Sequence, residues 1–74
     1  MSVIELKSEV TGTVWRLVAG EGQGLHEDDT LLIIESMKME IPIGAPEDCR
    51  LVEIIVQENQ LVKEGDVIAR LSVD

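Results

Sequence analysis

At residues 35–40 the chain reads Glu-Ser-Met-Lys-Met-Glu, and this stretch stands at the midpoint of the 74 residues. The aliphatic run from Leu31 to Ile34 precedes it, and the chain continues after it from Met39 to Ile43. Two such runs joined by a short segment predict a β-hairpin. We therefore expect two antiparallel strands, with Lys38 held in solvent at the tip of a hairpin over residues 34–41.

Met37-Lys38 is an unfavourable sequence for a two-residue turn. Such turns favour Asn-Gly or Asp-Gly, because both central residues need positive φ. A residue choice that opposes the local geometry is expected at a functional site. A lysine alone at a β-turn is usually only a solubilising charge. Met37 and Met39 distinguish Lys38 from such a lysine, because flexible thioether side chains at an exposed tip suit recognition by another protein.

The two halves of the chain form an internal repeat. Residues 12–37 lie on residues 49–74 without a gap, at a shift of 37 positions. Apolar positions coincide as well, for example Leu17 with Ile54 and Leu31 with Ile68. The identical pairs are Glu21/Glu58, Gln23/Gln60, Glu27/Glu64 and Asp29/Asp66. Two like halves that cannot each bury an apolar face are expected to pack about a pseudo-two-fold axis.

The pattern of short strands predicts an all-β fold, a flattened barrel or sandwich. No stretch has a sustained helical period, and turn signals recur between the apolar runs. Alternation along the strands predicts which side chains face the core, although a β-bulge near Val14 and Leu51 would shift this register. The predicted inward residues are Trp15, Leu17, Ala19, Val52, Ile54 and Val56, together with Leu32, Ile34, Ala69 and Leu71.

Composition excludes several classes of function. The formal net charge of −9 opposes binding to nucleic acid and to anionic membranes. One cysteine, Cys49, allows neither an internal disulfide nor a multi-cysteine metal site, so we expect no metal and a reducing, cytoplasmic compartment. The start of the chain has neither a basic segment nor a long apolar run, so a signal peptide or membrane span is not expected.

The motif Glu-Ser-Met-Lys-Met at residues 35–39 resembles the Glu-Ala/Ser-Met-Lys-Met signature of biotinyl domains, the biotin carboxyl carrier family. The resemblance covers essentially the whole chain and includes the segments 12–14, 45–46 and 64–67. It implies a single biotinyl domain over residues 1–74, built as two four-stranded antiparallel sheets with quasi-two-fold symmetry. The chain is similar to the thumbless, stand-alone type of carrier.

The resemblance also implies a function. Lys38 would be the site of covalent biotin attachment, and Met37 and Met39 the flanking residues that partner enzymes recognise. The domain would carry carboxylate between biotin carboxylase and carboxyltransferase, after modification by biotin protein ligase. The expected enzyme is an acyl-CoA carboxylase, such as an acetyl-CoA carboxylase, and the domain itself would have no catalytic residues.

Two alternatives remain at this point. A lipoyl carrier is disfavoured because lipoyl domains typically have Asp-Lys-Ala at the tip, whereas Met37 and Met39 flank Lys38 here. An unmodified adaptor domain would use the hairpin only as a binding surface.

The sequence departs from the family pattern at two positions. The family usually has glycine at the positions of Asp28 and Cys49. Asp tolerates left-handed backbone, whereas Cys49 would be strained in it.

Overall fold

The computed structural model describes residues 2–74, and these residues form eight β-strands. None of the described residues belongs to a helix long and apolar enough to cross a membrane. The strands are β1 (Ser2–Lys7), β2 (Gly12–Leu17), β3 (Gly24–Leu25), β4 (Thr30–Ser36), β5 (Met39–Gly44), β6 (Cys49–Ile54), β7 (Leu61–Val62) and β8 (Val67–Val73).

The strands form two four-stranded antiparallel sheets, which confirms the predicted fold. The first sheet, sheet A, has the order β1-β8-β6-β3, and the second, sheet B, has the order β5-β4-β2-β7. Each sheet takes two strands from each half of the chain, β1 to β4 and β5 to β8. The connection between β2 and β3 spans only residues 18–23, as expected for a carrier without a thumb.

The core consists of two apolar clusters that the repeat relates to each other. Val14 and Leu32 lie in one cluster with Val56 and Val62, so both halves of the chain contribute to it. The second cluster contains Leu51, Ala69 and Leu71 from the second half and Ala19, Leu25 and Leu31 from the first. Because each cluster needs both halves, neither half could bury its apolar side chains alone.

Three of the four identical pairs in the repeat have the same structural role in both halves: their side chains accept hydrogen bonds from backbone N–H groups. The Leu17 N–H donates to Glu58 at 3.0 Å, and the Ile54 N–H donates to Glu21 at 3.1 Å. These two contacts join the halves, because each glutamate bonds the end of a strand in the other half. Gln23 and Gln60 accept from the N–H three residues before them, as do Asp29 and Asp66.

The predicted inward register was wrong for Trp15 and Val52. Both are exposed, at 41% and 46% of their surface, whereas Val14 and Leu51 are fully buried. The strand register shifts between Val14 and Arg16, and again between Leu51 and Glu53. Each shift is a β-bulge with one extra residue, which turns the following side chains to the other face. The bulges occur at matching positions of the two repeats.

The side chains predicted to face the core from β4 and β8 do so, although further residues of these strands are buried as well. Leu32, Ile34, Ala69 and Leu71 have no exposed surface. Leu31 and Ile68 are fully buried too, beside an inward neighbour in each strand. A further pair of register shifts, between Thr30 and Leu32 and between Leu6 and Lys7, accounts for these consecutive buried residues.

The backbone φ angle differs between the two positions at which the family usually has glycine. Asp28 has a φ of 73°, in the left-handed region, and Gly65 has a φ of 92° at the matching position of the repeat. Cys49 is not among the residues with positive φ, because it begins β6 as an extended residue. The strain expected at Cys49 is therefore absent.

Candidate functional site

Lys38 lies in a two-residue turn that joins β4 to β5, as the sequence predicts. Ser36 and Met39 are opposite each other, which leaves only Met37 and Lys38 to reverse the chain. Their φ angles are 52° and 66°, the left-handed values of a type I′ turn. Left-handed backbone costs about 1–2 kcal/mol for a residue with a side chain. The fold therefore holds Met37 and Lys38 in a conformation that neither residue favours.

The hairpin is fixed at its base by a short series of hydrogen bonds. The Ser36 hydroxyl donates to the Thr11 carbonyl oxygen at 2.9 Å. The Thr11 hydroxyl in turn accepts from the Glu64 N–H at 3.0 Å. Since Thr11 precedes β2 and Glu64 follows β7, the Lys38 hairpin is connected to two other segments of the domain. The sequence interpretation did not identify this role for Ser36 and Thr11.

The three side chains at the tip are exposed. Met37 is exposed over 92% of its surface and Met39 over 64%, and Lys38 is also classed as exposed. None of the ion pairs within residues 2–74 includes Lys38. The lysine amine is thus accessible to another molecule, and both methionines present apolar surface beside it.

Two carboxylates face each other just below the tip. Glu35 and Glu40 are directly opposite in the β4–β5 register, and both are exposed. Like charges in this position destabilise a sheet, because the Cβ atoms are about 5 Å apart. Lys38 is the one cationic residue from Thr30 to Gly44. The hairpin therefore combines one accessible cation with an uncompensated acidic pair.

The remaining polar groups provide no second centre of chemistry among the described residues. His26 Nδ1 lies 3.9 Å from Asp48, and both side chains are highly exposed. Partial burial raises the pKa of the Cys49 thiol, and the nearby carboxylates of Glu47, Asp48 and Asp29 raise it further. A thiol with a raised pKa is a poor nucleophile at neutral pH. Within residues 2–74, no group of three His, Cys, Asp or Glu side chains could hold a metal ion.

A large surface depression is separate from the lysine hairpin. It has a volume of about 800 Å³ and lies along β3 and β6, where His26, Asp48, Cys49 and Arg50 line it. A smaller depression, of about 270 Å³, lies between the ends of β1 and β5. Neither includes Met37, Lys38 or Met39, so the site is an exposed tip and not a pocket.

An exposed lysine on a type I′ turn, in an eight-stranded domain with internal two-fold symmetry, agrees with the family comparison. The model of the family described as "Biotin-requiring enzyme", the biotin/lipoyl family, matches residues 2–71. The chain belongs to this family. Biotin is accordingly its cofactor.

Two relatives of similar length are named for biotin or lipoyl attachment and for biotinylation, and a third is a much longer enzyme. The chain is 36% identical over 64 residues to the biotin/lipoyl attachment protein of Bacillus subtilis, covering 86% of this chain and 88% of that protein. It is 32% identical over 68 residues to the biotinylated protein TB7.3 homolog of Mycobacterium leprae, covering 92% and 96%. It is 36% identical to the urea amidolyase of Saccharomyces cerevisiae over 84% of this chain but only 3% of that protein.

Two solved structures contain a domain of the same fold. The urea carboxylase of Kluyveromyces lactis matches with a TM-score of 0.90 and 32% identity, covering 96% of this chain and 6% of that chain. A single-chain, multi-domain long-chain acyl-CoA carboxylase matches with a TM-score of 0.89 and 30% identity, covering 95% and 7%. The chain thus corresponds to the biotin carrier domain of such carboxylases.

Proposed function

We propose that Lys38 carries covalently attached biotin and that residues 1–74 form a single biotinyl domain serving a biotin-dependent carboxylase. The observation that supports this most directly is the exposed Met37-Lys38-Met39 tip on a strained turn in a member of the biotin-requiring family. The residues fit the cofactor, because an amide on the Lys38 amine needs no enclosing pocket.

Lys38 has the central chemical role in this proposal. Its Nζ atom loses a proton and attacks the acyl carbon of biotinyl-adenylate, which biotin protein ligase makes from biotin and ATP. The C–N amide bond forms, the C–O bond to AMP breaks, and a second proton leaves the nitrogen. The positive charge of Lys38 is lost in this step, so the net charge of the hairpin over residues 30–44 changes from −1 to −2. When attached, biotin supplies a ureido group that can accept and deliver carboxylate.

The rest of the chain positions this lysine without taking part in bond making. Ser36 and Thr11 hold the hairpin base, so the travel between active sites comes from the long lysine–biotin arm and from movement of the whole domain. Tethering raises the effective concentration of the cofactor at each partner site. The domain has no catalytic residues, and its partners are biotin protein ligase, biotin carboxylase and carboxyltransferase.

We further propose an acyl-CoA as the carboxyl acceptor, with support from the similarity to a long-chain acyl-CoA carboxylase. Urea is the second candidate, because a urea carboxylase matches equally well. The two are separated by carboxylating the biotinylated chain with biotin carboxylase, ATP and bicarbonate and supplying it to purified carboxyltransferases with acetyl-CoA or with urea. Turnover with urea alone would replace the acceptor and leave the carrier function intact.

Intact mass spectrometry tests the modification itself. The chain is co-expressed with biotin protein ligase in the presence of biotin and, separately, with a lipoate ligase and lipoate. We expect the mass to rise by one biotinyl group in the first case and to remain unchanged in the second. A lipoyl adduct alone would favour a lipoyl carrier of a dehydrogenase complex, and no adduct in either case would favour an adaptor domain.

A variant of Met37 distinguishes recognition from packing. Because Met37 is exposed over 92% of its surface, we expect Met37→Ala to leave the urea midpoint unchanged. It should lower the rate of biotinylation or of carboxyl transfer roughly tenfold, the equivalent of 1–2 kcal/mol of lost apolar contact.

Met37→Leu is the matched control, because it nearly conserves volume and should retain most of the rate. Met39→Ala should have a smaller effect on rate, because Met39 is less exposed and begins β5. An early-melting Met37→Ala that turns over normally once folded would make Met37 a structural residue.

A further inference from the structure

Two accessible thioether side chains flank Lys38. The chain has three methionines, and the structure describes two of them, Met37 and Met39. Methionine is among the residue types most often found fully buried in proteins. Here both described side chains are exposed instead, Met37 more fully than Met39. A small solute can therefore reach a thioether on each side of the lysine.

The single cysteine is less accessible and less reactive than its residue type suggests. Cys49 is partly buried at the start of β6. Burial raises the pKa of its thiol, and the carboxylates of Glu47, Asp48 and Asp29 raise it further. Peroxides react with the thiolate, so a thiol that stays protonated is oxidised slowly. A thioether has no proton to lose, and its reaction depends on exposure instead. The methionine pair is therefore the accessible sulfur of residues 2–74.

We propose that Met37 and Met39 are a site of reversible oxidation that controls the modification of Lys38, an inference that rests on the proposed role of Lys38. The oxidant is hydrogen peroxide. Its O–O bond breaks, one oxygen atom bonds to the thioether sulfur, and the other leaves as water. The sulfur loses the two electrons that the peroxide gains, and methionine sulfoxide results. A methionine sulfoxide reductase reverses the step: the oxygen leaves as water, and two thiols of the reducing system become a disulfide.

Oxidation at the tip leaves the fold intact. Neither methionine belongs to the two core clusters. The turn is held by the pairing of Ser36 with Met39 through the main chain and by the Ser36–Thr11 hydrogen bond, and neither contact uses a thioether. A sulfoxide inside a core disrupts packing, whereas the oxygen added here meets water. The effect is therefore confined to the surface beside Lys38.

Oxidation changes the surface that any enzyme must cover to reach the lysine. The thioether is flexible and apolar, whereas the sulfoxide is polar and chiral. An enzyme that covers Met37 must then remove water from the new oxygen, and an apolar contact surface returns no hydrogen bond for it. Because Met37 and Met39 are the two neighbours of Lys38, contact with its Nζ atom brings at least one of them into the interface. We expect biotin attachment to slow about tenfold.

The test compares the oxidised chain with the untreated chain. The chain without biotin is treated with hydrogen peroxide at about pH 5, where the Cys49 thiol is protonated. Catalase removes the excess, and peptide mass spectrometry locates each added oxygen. The sample then receives biotin protein ligase, biotin and ATP. We expect the biotinylation rate to fall about tenfold at an unchanged urea midpoint. A methionine sulfoxide reductase with dithiothreitol should restore the rate of the untreated chain.

The double variant Met37→Leu with Met39→Leu is the matched control. Leucine nearly conserves volume and has no sulfur, so this variant should be biotinylated at most of the parent rate. Peroxide should leave its rate within about twofold of the untreated value, because no sulfoxide forms beside Lys38. Cys49→Ser is the converse control. It keeps both methionines, so peroxide should slow its biotinylation as much as that of the parent.

The oxidation rates give a readout that needs no enzyme. Met37 is almost fully exposed, so its sulfoxide should form at a rate within about twofold of that of N-acetylmethionine amide. Met39 should react more slowly, because it begins β5 and is less exposed. Peptide mass spectrometry over a time course measures both rates. A Met37 side chain oxidised about tenfold more slowly than the reference compound would be shielded, and the proposal would be overturned.

Three results of the biotinylation assay contradict the proposal. A chain with sulfoxide at both methionines that accepts biotin at the normal rate overturns it. Equal inhibition of the double leucine variant also overturns it, because the effect then comes from another residue. An oxidised chain that melts early does the same, since loss of the fold would explain the loss of rate. Failure of the untreated chain to accept biotin is a separate result, which refutes the proposed function.

Discussion

Lys38→Arg is expected to fold as the parent does and to accept no biotin. A guanidinium remains protonated at every accessible pH, so it cannot act as the nucleophile that forms the amide. The turn conformation should survive, because arginine and lysine have the same backbone requirements and the side chain is exposed. Intact mass after co-expression with the ligase measures the modification, and the urea midpoint measures the fold.

Three further variants serve as controls for this result. Lys7→Arg and Lys63→Arg remove the other two lysines of the chain one at a time, and each should be biotinylated normally. Lys38→Gly should also remain unmodified, and it should be about 1 kcal/mol more stable, because glycine relieves the left-handed strain at φ 66°. Biotin on the Lys38→Arg chain would exclude Lys38 as the attachment site.

Leu51→Ala is expected to destabilise the domain by about 2–5 kcal/mol, whereas Val52→Ala next to it should cost about 0.5 kcal/mol. Leu51 is fully buried in the second core cluster, and its truncation leaves a cavity. Val52 is the extra residue of the bulge and is exposed over 46% of its surface. Urea denaturation with an unchanged m-value measures both changes.

The contrast between these two neighbours is a direct test of the bulge. Simple alternation along β6 would put Val52 inside and Leu51 outside, and the order of the two effects would then be reversed. The larger loss is a large fraction of the 5–15 kcal/mol that stabilises a typical domain. We therefore expect Leu51→Ala to be partly unfolded at 37 °C and Val52→Ala to be fully folded.

The Lys38 hairpin illustrates a conflict between local preference and the fold. Met37 and Lys38 disfavour positive φ, yet the buried β4 strand and the Ser36–Thr11 hydrogen bond hold the turn in place. Glu35 and Glu40 add like-charge repulsion next to it. These costs are concentrated at the tip and its first pair of strand residues, around the proposed attachment site Lys38.

The sequence alone was sufficient for the main features of this protein. A shift of 37 residues predicts the pseudo-two-fold axis, because matched apolar positions must share one core. The motif around Lys38 identifies the hairpin tip as the candidate site, because Met37 and Lys38 are unfavourable residues for a two-residue turn. Part of the buried set in β4 and β8 also follows from simple alternation, since Leu32 and Leu71 face inward as predicted, whereas the burial of Leu31 and Ile68 does not.

Only the tertiary structure decided the register around Trp15 and Val52. A bulge adds one residue to a strand, and whether it forms depends on how the partner strand is paired, which local periodicity does not contain. The same is true of the ion pairs of Arg70 on sheet A. Glu5 of β1 and Glu53 of β6 both lie opposite Arg70 of β8, and pairing between strands alone brings these residues from separate parts of the chain side by side.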